Sequence, residues 1–261
     1  MRLITWNVNS IRQRLPRLLA LLERHQPDVV CIQETKVADA DLPVDALLAV
    51  GYTALSSGQP GRNGVAIVSR LPLEEVARGM PGDPAPDDRR LLAARAGGIT
   101  VVNLYAVNGK AVGDPAYAVK LAWFEALAAW LRDSIDVASP VALAGDFNVT
   151  PGDSDVYDPE LWRGQNLASE PERDRLQALL DLGFEDLARR AAGDVTGPFT
   201  FWDYRMGAFH RGWGLRIDLV LATAPLVARL ESVEVDREER KPSSGEGKPS
   251  DHAPLIVDLR D

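Results

Sequence analysis

The chain predicts an α/β fold in four layers, an α/β/β/α sandwich with two packed mixed β-sheets inside and helices on both outer faces. Three observations carry this expectation. Short apolar runs suited to buried strands recur nine times, whereas helical spacing appears in only three places. Several strand-like runs follow one another directly, which disfavours a doubly wound parallel sheet, where each crossover needs a helix. No internal repeat or low-complexity linker divides the 261 residues, so a single domain spanning 1–261 is expected.

The first strand is LITW (3–6). Leu15, Leu18, Leu19 and Leu22 then share one helical face, with Pro16 expected in a first turn, where its missing N–H is tolerated. VVCIQ (29–33), GVAIVS (64–69), LLAARA (91–96) and TVVNLYAV (100–107) are apolar runs of strand length. Tyr117, Leu121, Phe124, Ala128 and Leu131 mark a second helix, VALAGD (141–146) a further strand, and Leu176, Leu179 and Leu180 a third helix. RIDLVLA (216–222), a stretch near 230–235 and PLIVDL (254–259) complete the strands. PGDPAPDD (81–88) and KPSSGEGKPS (241–250) are surface loops by composition.

Composition narrows the function classes. Apolar residues make up 46% of the chain, enough for a large core. There is no run of eighteen apolar residues, so no membrane span is expected. The start, MRLITWNVNS, has too short an apolar stretch for a signal peptide, and a cytoplasmic location follows as the expectation. Cys31, the single cysteine, lies in an apolar run as a small buried hydrophobe. One cysteine and three histidines leave too few ligands for a zinc site of the usual types. A bound metal would therefore take mostly oxygens, as magnesium or manganese does. The net charge of −9 argues mildly against nucleic-acid binding. Against that, Arg211, Arg216, Arg237, Arg240, Lys241 and Lys248 crowd the last fifth of the chain, around His252, and patches matter more than totals.

The acids and amides fall at strand ends. Asn7 closes the first strand and Glu34 the second; Tyr105 and Asn108 close one later strand, Asp146 and Asn148 another. Asp218 and the Asp251–His252 pair stand instead at the beginnings of their strands. In a mixed sheet, strands running up end at the rim where strands running down begin, so one rim can gather all nine. Taken singly each is ordinary turn or cap chemistry. Asp218, flanked by Ile217 and Leu219, would be a costly buried charge without a partner, and a histidine is a suitable one. Together the set points to catalysis.

In chain order, ITWNVNS, IQETK, NLYAVNG, GDFNVTP, TFWDYR, GLRIDLVLA and KPSDHAP resemble the exonuclease III class of abasic-site endonucleases, part of the endonuclease/exonuclease/phosphatase superfamily. The likeness runs from Leu3 to Leu259. It implies that Glu34 is the main Mg2+ ligand with Asn7 and Asp251 close by, and that Asp146 orients or deprotonates the attacking water. Asn148 would hold that water and the phosphate, and a second ion on Asp146 and Asn148 is open. His252 would contact a non-bridging phosphate oxygen, oriented by Asp218, with Tyr105 and Asn108 on the other side of the phosphate. Trp202 and Trp213 would line the pocket for the base-less sugar, and Arg216 with its basic neighbours would contact DNA phosphates. Two departures stand out: Val107 where many relatives carry proline, and Trp213 three residues before Arg216 rather than adjacent to it. The implied partner is double-stranded DNA, especially with abasic sites or blocked 3′ ends, bound by a monomer without a membrane.

These residue types suit phosphodiester hydrolysis. The diester repels nucleophiles, so a divalent cation on hard oxygen ligands must first neutralise charge; Mn2+ can substitute for Mg2+ in such a site. A positioned carboxylate or histidine that takes the water's proton contributes roughly 10²–10⁴-fold. Whether Asp146 or His252 does so is open at this level. Asn, Tyr and His donors stabilise the developing charge on phosphate oxygens. The expected activities are incision 5′ to abasic sites, 3′→5′ exonuclease and 3′-phosphatase. An inositol phosphatase or sphingomyelinase would need headgroup or membrane contacts, and no amphipathic basic helix is present. A DNA-binding module without catalysis would not need every acid and the histidine.

Overall fold

The computed structural model describes residues 1–261. Twelve strands build two six-stranded sheets. In chain order the strands are β1 (Arg2–Asn7), β2 (Val29–Gln33), β3 (Thr53–Ser57), β4 (Val65–Ser69), β5 (Glu74–Arg78) and β6 (Leu91–Ala96). They continue as β7 (Ile99–Tyr105), β8 (Val141–Asp146), β9 (Phe184–Asp186), β10 (Asp218–Thr223), β11 (Leu230–Val235) and β12 (Leu255–Leu259). One sheet has the order β11-β12-β1-β2-β4-β3, the other β5-β6-β7-β8-β10-β9. Each is mixed: β1 pairs parallel to β2 and antiparallel to β12, while β8 pairs parallel to β7 and antiparallel to β10.

Alternation along the strands sorts the side chains into layers. Leu3, Val29, Cys31 and Val257 of one sheet pack on Val101, Ala142, Ala144 and Val220 of the other, filling the space between the sheets. The next residues along, Ile4, Trp6, Val30 and Ile32, face outward and pack under Leu18, Leu21 and Leu22 of helix α1 (Ile11–His25) and Leu47 of α2 (Val44–Ala49). On the far side, Val102, Leu104, Leu143 and Leu221 pack against Trp123, Phe124, Leu127 and Leu131 of α3 (Pro115–Ser134). The four-layer α/β/β/α expectation holds.

Pro16 departs from its expected place. α1 begins at Ile11, so the proline lies beyond the first turn and removes one internal hydrogen bond. RIDLVLA also starts late as a strand: β10 begins at Asp218, leaving Arg216 and Ile217 in the approach. No helix is long and apolar enough to cross a membrane.

At one end of the sandwich the filling between the sheets turns polar. Gln33 donates through Nε2 to Thr5 Oγ1 at 3.0 Å and across the gap to Asn103 Oδ1 at 2.7 Å. Asn103 Nδ2 returns bonds to the carbonyls of Ile32 (3.0 Å) and Ala66 (2.8 Å). These buried bonds tie one sheet to the other directly beneath the rim.

Candidate active site

The rim above those amides collects strand ends from both sheets. Parallel pairing sets Asn7 beside Gln33, and the next residue, Glu34, turns upward with φ 55°. In the second sheet Tyr105 and Asp218 both lie in register with Asp146. Gly145 is what lets β8 run that close to β7: a Cβ there would lie 1.9 Å from the Leu104 carbonyl oxygen. β12 is anchored by Trp6 Nε1 donating to the His252 carbonyl (3.1 Å) and by Ser250 Oγ donating to the Asn7 carbonyl (2.7 Å). Glu34 and Asn148 (φ 50°) both hold left-handed backbone conformations, as do Asn9 and Lys36. For side-chain-bearing residues such conformations are uncommon, and they concentrate here at the rim.

Asn7 joins the two halves. Its Nδ2 donates to Glu34 Oε1 and to Asp146 Oδ2, both at 2.9 Å, while its Oδ1 accepts the Asn9 N–H at 3.0 Å. His252 Nδ1 lies 2.8 Å from Asp218 Oδ2, and its Nε2 lies 3.8 Å from Asp146 Oδ2. All three are buried. Burial opposes charge on the imidazole, but Asp218 and Asp146 outweigh it and raise the His252 pKa to about 10. Burial also raises Asp146, to about 7, with His252 pulling the other way and Asp218 adding to the rise. Glu34 stays below the ordinary carboxylate range despite its burial, because Lys36 Nζ sits 2.7 Å away and Asn7 donates to it. Tyr105 is pushed well up by burial and by the charges of Glu34 and Asp146.

The other wall is built from asparagines. Asn148 N–H donates to Asp146 Oδ1 (2.9 Å), its Nδ2 to the Ala106 carbonyl (3.0 Å), and its Oδ1 accepts from Asn108 Nδ2 (2.8 Å). Asn108 itself is exposed. Arg90, whose guanidinium carbon lies 4.8 Å from the centre of the Tyr105 ring, closes the wall from behind.

Two sets of side chains could hold a cation, one of them including an imidazole nitrogen. Ligand atoms of Asp146, Asp218 and His252 lie within 4.8 Å of one another, and Asp218 Oδ1 is buried without any partner. The more open set is Glu34, Asn9 and Asp251. Lys36 Nζ already sits among it, 2.7 Å from Glu34 Oε2 and 2.5 Å from Asn9 Oδ1, and Asn9 Nδ2 bonds Asp251 Oδ1 at 3.1 Å. Hard oxygens arranged around a cation fit Mg2+ or Mn2+. Asn7 here turns its nitrogen toward the two carboxylates and its oxygen toward the Asn9 N–H. The amide of Asn148 is engaged at both ends, so its role is also that of a hydrogen-bonding residue.

An apolar cavity of about 280 Å³ opens beside the rim, lined by Tyr157, Trp162, Phe201, Met206, Trp213 and Leu215 among others. Phe201 packs 4.9 Å from the His252 ring, and Trp213 stacks on Tyr157 at 5.7 Å. Trp202 is not in it. Only 1% exposed, it packs against Phe209 and Ala253, because successive side chains on an extended segment point to opposite sides. Phe201, overlooked in the sequence, takes the place expected for it. Arg216 is also removed from the phosphate contacts. It is fully buried, with Nε 2.6 Å from Asp155 and Nη1 2.6 Å from Asp186. Arg240 is likewise buried, donating to the Trp202 carbonyl, and Arg237 lies over the Trp202 ring at 5.2 Å. The basic groove lies on the α1 side of the rim, where Arg12, Arg14 and Lys36 join Arg240 and Lys248 of the C-terminal basic cluster around about 810 Å³.

Comparison with known proteins agrees with this geometry. Residues 4–252 match the Endonuclease/Exonuclease/phosphatase family. The chain is 31% identical to exodeoxyribonuclease III of Haemophilus influenzae, covering all of both chains. A Neisseria 3′ phosphatase solved with a product DNA hairpin superposes with a TM-score of 0.95 at 40% identity over the full length of both. An AP endonuclease from Archaeoglobus fulgidus gives 0.93 at 37% identity, covering 99% of each chain. With the strand ends, the His252–Asp218 pair and these full-length matches in place, the chain belongs to the endonuclease/exonuclease/phosphatase family and, within it, to the exonuclease III class of abasic-site endonucleases.

Proposed function

We propose that the protein is a magnesium-dependent DNA-repair phosphodiesterase that incises duplex DNA 5′ to abasic sites, with 3′→5′ exonuclease and 3′-phosphatase activity at the same site. The observation that carries this reading is Asn7 bonded to both Glu34 and Asp146, with His252 held on Asp218 beside them and an apolar cavity adjoining. A divalent cation on Glu34 and Asp251, near Asp146, would neutralise charge on the phosphate and on the departing oxygen. The remaining work falls to side chains of the chain.

Asp146 is the better general base of the two candidates. Burial raises the Asp146 carboxylate above its ordinary value and so favours its taking a proton, whereas Asp218 and Asp146 hold His252 in its charged form as a donor. His252 then acts as a charged donor to a non-bridging phosphate oxygen, fixed in orientation by Asp218. Asn108 and Tyr105 donate from the opposite wall. A base-less sugar needs no unstacking of a paired base to leave the helix, and the cavity at Phe201 and Trp213 would accept it. Duplex phosphates would lie along Arg12, Lys36 and Lys248.

The full-length likeness to the Neisseria 3′ phosphatase favours a second reading, in which trimming of blocked 3′ ends is the main activity. One assay separates them. A duplex with one abasic analogue and a nicked duplex with a 3′-phosphate are incubated with and without Mg2+. Incision of the first is expected, stopped by chelator and restored by Mg2+. Phosphate release alone selects the second reading, and turnover in excess chelator removes the metal. Absence of cleavage of either, with duplex binding retained, would sink both.

A further inference from the structure

Lys120 lies in the core, and a buried ammonium is expensive unless every one of its protons is bonded. It stands on the inner face of α3 and is completely buried, as is Glu172 in helix α5 (Glu170–Leu180; the intervening helix α4 is Pro159–Trp162). Its three N–H bonds have three acceptors: Glu172 Oε1, the Asn108 carbonyl at 3.1 Å and the Asn148 carbonyl at 2.6 Å. No donor is left for a substrate. Burial pulls the ammonium below its usual pKa, and Glu172 and Asp146 oppose that loss.

The two carbonyls belong to the residues whose side chains form the asparagine wall, where Asn108 Nδ2 bonds Asn148 Oδ1. One ammonium therefore ties together the backbones of two loops that leave adjacent strands, behind the pair of amides that faces the phosphate. Glu172 fixes the ammonium in turn. It accepts the Leu167 N–H (3.0 Å) and the Ser169 N–H (3.1 Å), on a segment whose Leu167 carbonyl takes the Thr150 N–H at 2.7 Å. We propose that the buried Lys120–Glu172 pair is a positioning device for the Asn108–Asn148 wall, setting the separation of these amides from Asp146. The inference deepens the phosphodiesterase reading of the same site and rests on it.

Removing either charge alone strands the other in the core, so a single substitution confuses positioning with unfolding. The double variant Lys120→Met with Glu172→Gln keeps volume, keeps an acceptor for one of the Leu167 and Ser169 N–H groups and leaves no lone charge. It is assayed on a duplex with one abasic analogue in Mg2+, alongside thermal melting and amide hydrogen exchange at Asn148 and Lys110. These two N–H groups bond Asp146 Oδ1 and Asn108 Oδ1. The expected result is melting within about 5 °C of the parent, kcat lower by about tenfold or more with KM within about threefold, and faster exchange at both amides. A kcat within about twofold of the parent, or unchanged exchange at both amides, overturns the proposal. If the parent protein does not cut the duplex, the phosphodiesterase reading fails and the exchange comparison alone decides the positioning claim. Should the double variant not fold, Lys120→Arg, which keeps the pair and displaces its donors, is read against the same outcomes.

Discussion

Asp146 and His252 share one electrostatic neighbourhood and are assigned opposite tasks within it. Replacing Asp146 with Asn removes the base at nearly constant volume and keeps an acceptor for one of its two donors, Asn7 Nδ2 or the Asn148 N–H. Cleavage should fall roughly 10²–10⁴-fold with duplex binding largely kept. His252→Ala should fall comparably, since it removes a donor to the phosphate. A loss below tenfold in both, measured in steady-state incision, would take them out of the reaction. The histidine also makes a stability prediction. Its pKa rises from 6.5 to about 10 on folding, so its contribution is fully present below pH 6.5 and lost as pH climbs through 10. The upper bound is roughly 5 kcal/mol. Denaturant midpoints of the metal-free protein should drop across that window, and His252→Gln should flatten the difference. Equal slopes in the two proteins would refute it.

Elements were legible where burial wrote them. Of the nine strands legible in the sequence, eight are apolar runs in which most residues are buried, while β11 is an edge strand with no buried residue. The three that were not read, β3, β5 and β9, are all at sheet edges. β5, EEVAR, is almost wholly exposed and carries the polar residues that keep an edge from pairing with another chain. The site followed from the same logic: strand ends and beginnings share a rim once the sheets are mixed, which placed Asn7, Glu34, Asp146, Asp218 and His252 together. What sequence alone did not resolve was side-chain direction over irregular backbone, hence Trp202 for Phe201 and Arg216 as a phosphate contact. Gly145 puts an element-scale claim to a test. A methyl group there would collide with the Leu104 carbonyl and force β8 away from β7, shifting Asp146 against Tyr105. Gly145→Ala should lower both the melting temperature and kcat, more than Gly51→Ala, which meets no atom within 4 Å though it shares a positive φ. Equal effects at the two glycines would mean that the close approach is immaterial.

At the scale of the whole molecule, a protein of net charge −9 is asked to hold a polyanion, which is possible only if local charge overrides the total. Several arginines are unavailable for this. Arg216 is locked between Asp155 and Asp186, Arg17 is buried against Glu239 and several carbonyls, and Arg240 is covered. The groove beside α1 has exposed Arg12 and Lys248, with Lys36 partly exposed. If phosphates lie there, each contact contributes about 0.9 to the slope of log affinity against log salt. Duplex binding by the parent should therefore weaken steeply between low and physiological salt. Lys248→Ala and Arg12→Ala should each weaken binding and make the slope shallower by about 1. Arg216→Ala should not change the slope, because that guanidinium never meets solvent; it should instead lower the melting temperature by taking the ion-pair partner of Asp186 and leaving Asp155 to Arg189 alone. Fluorescence anisotropy at a series of salt concentrations measures all three. A slope indifferent to Lys248 and Arg12 but reduced by Arg216→Ala would place the duplex on another face of the molecule and return the basic residues near β10 to the role that their burial denies them.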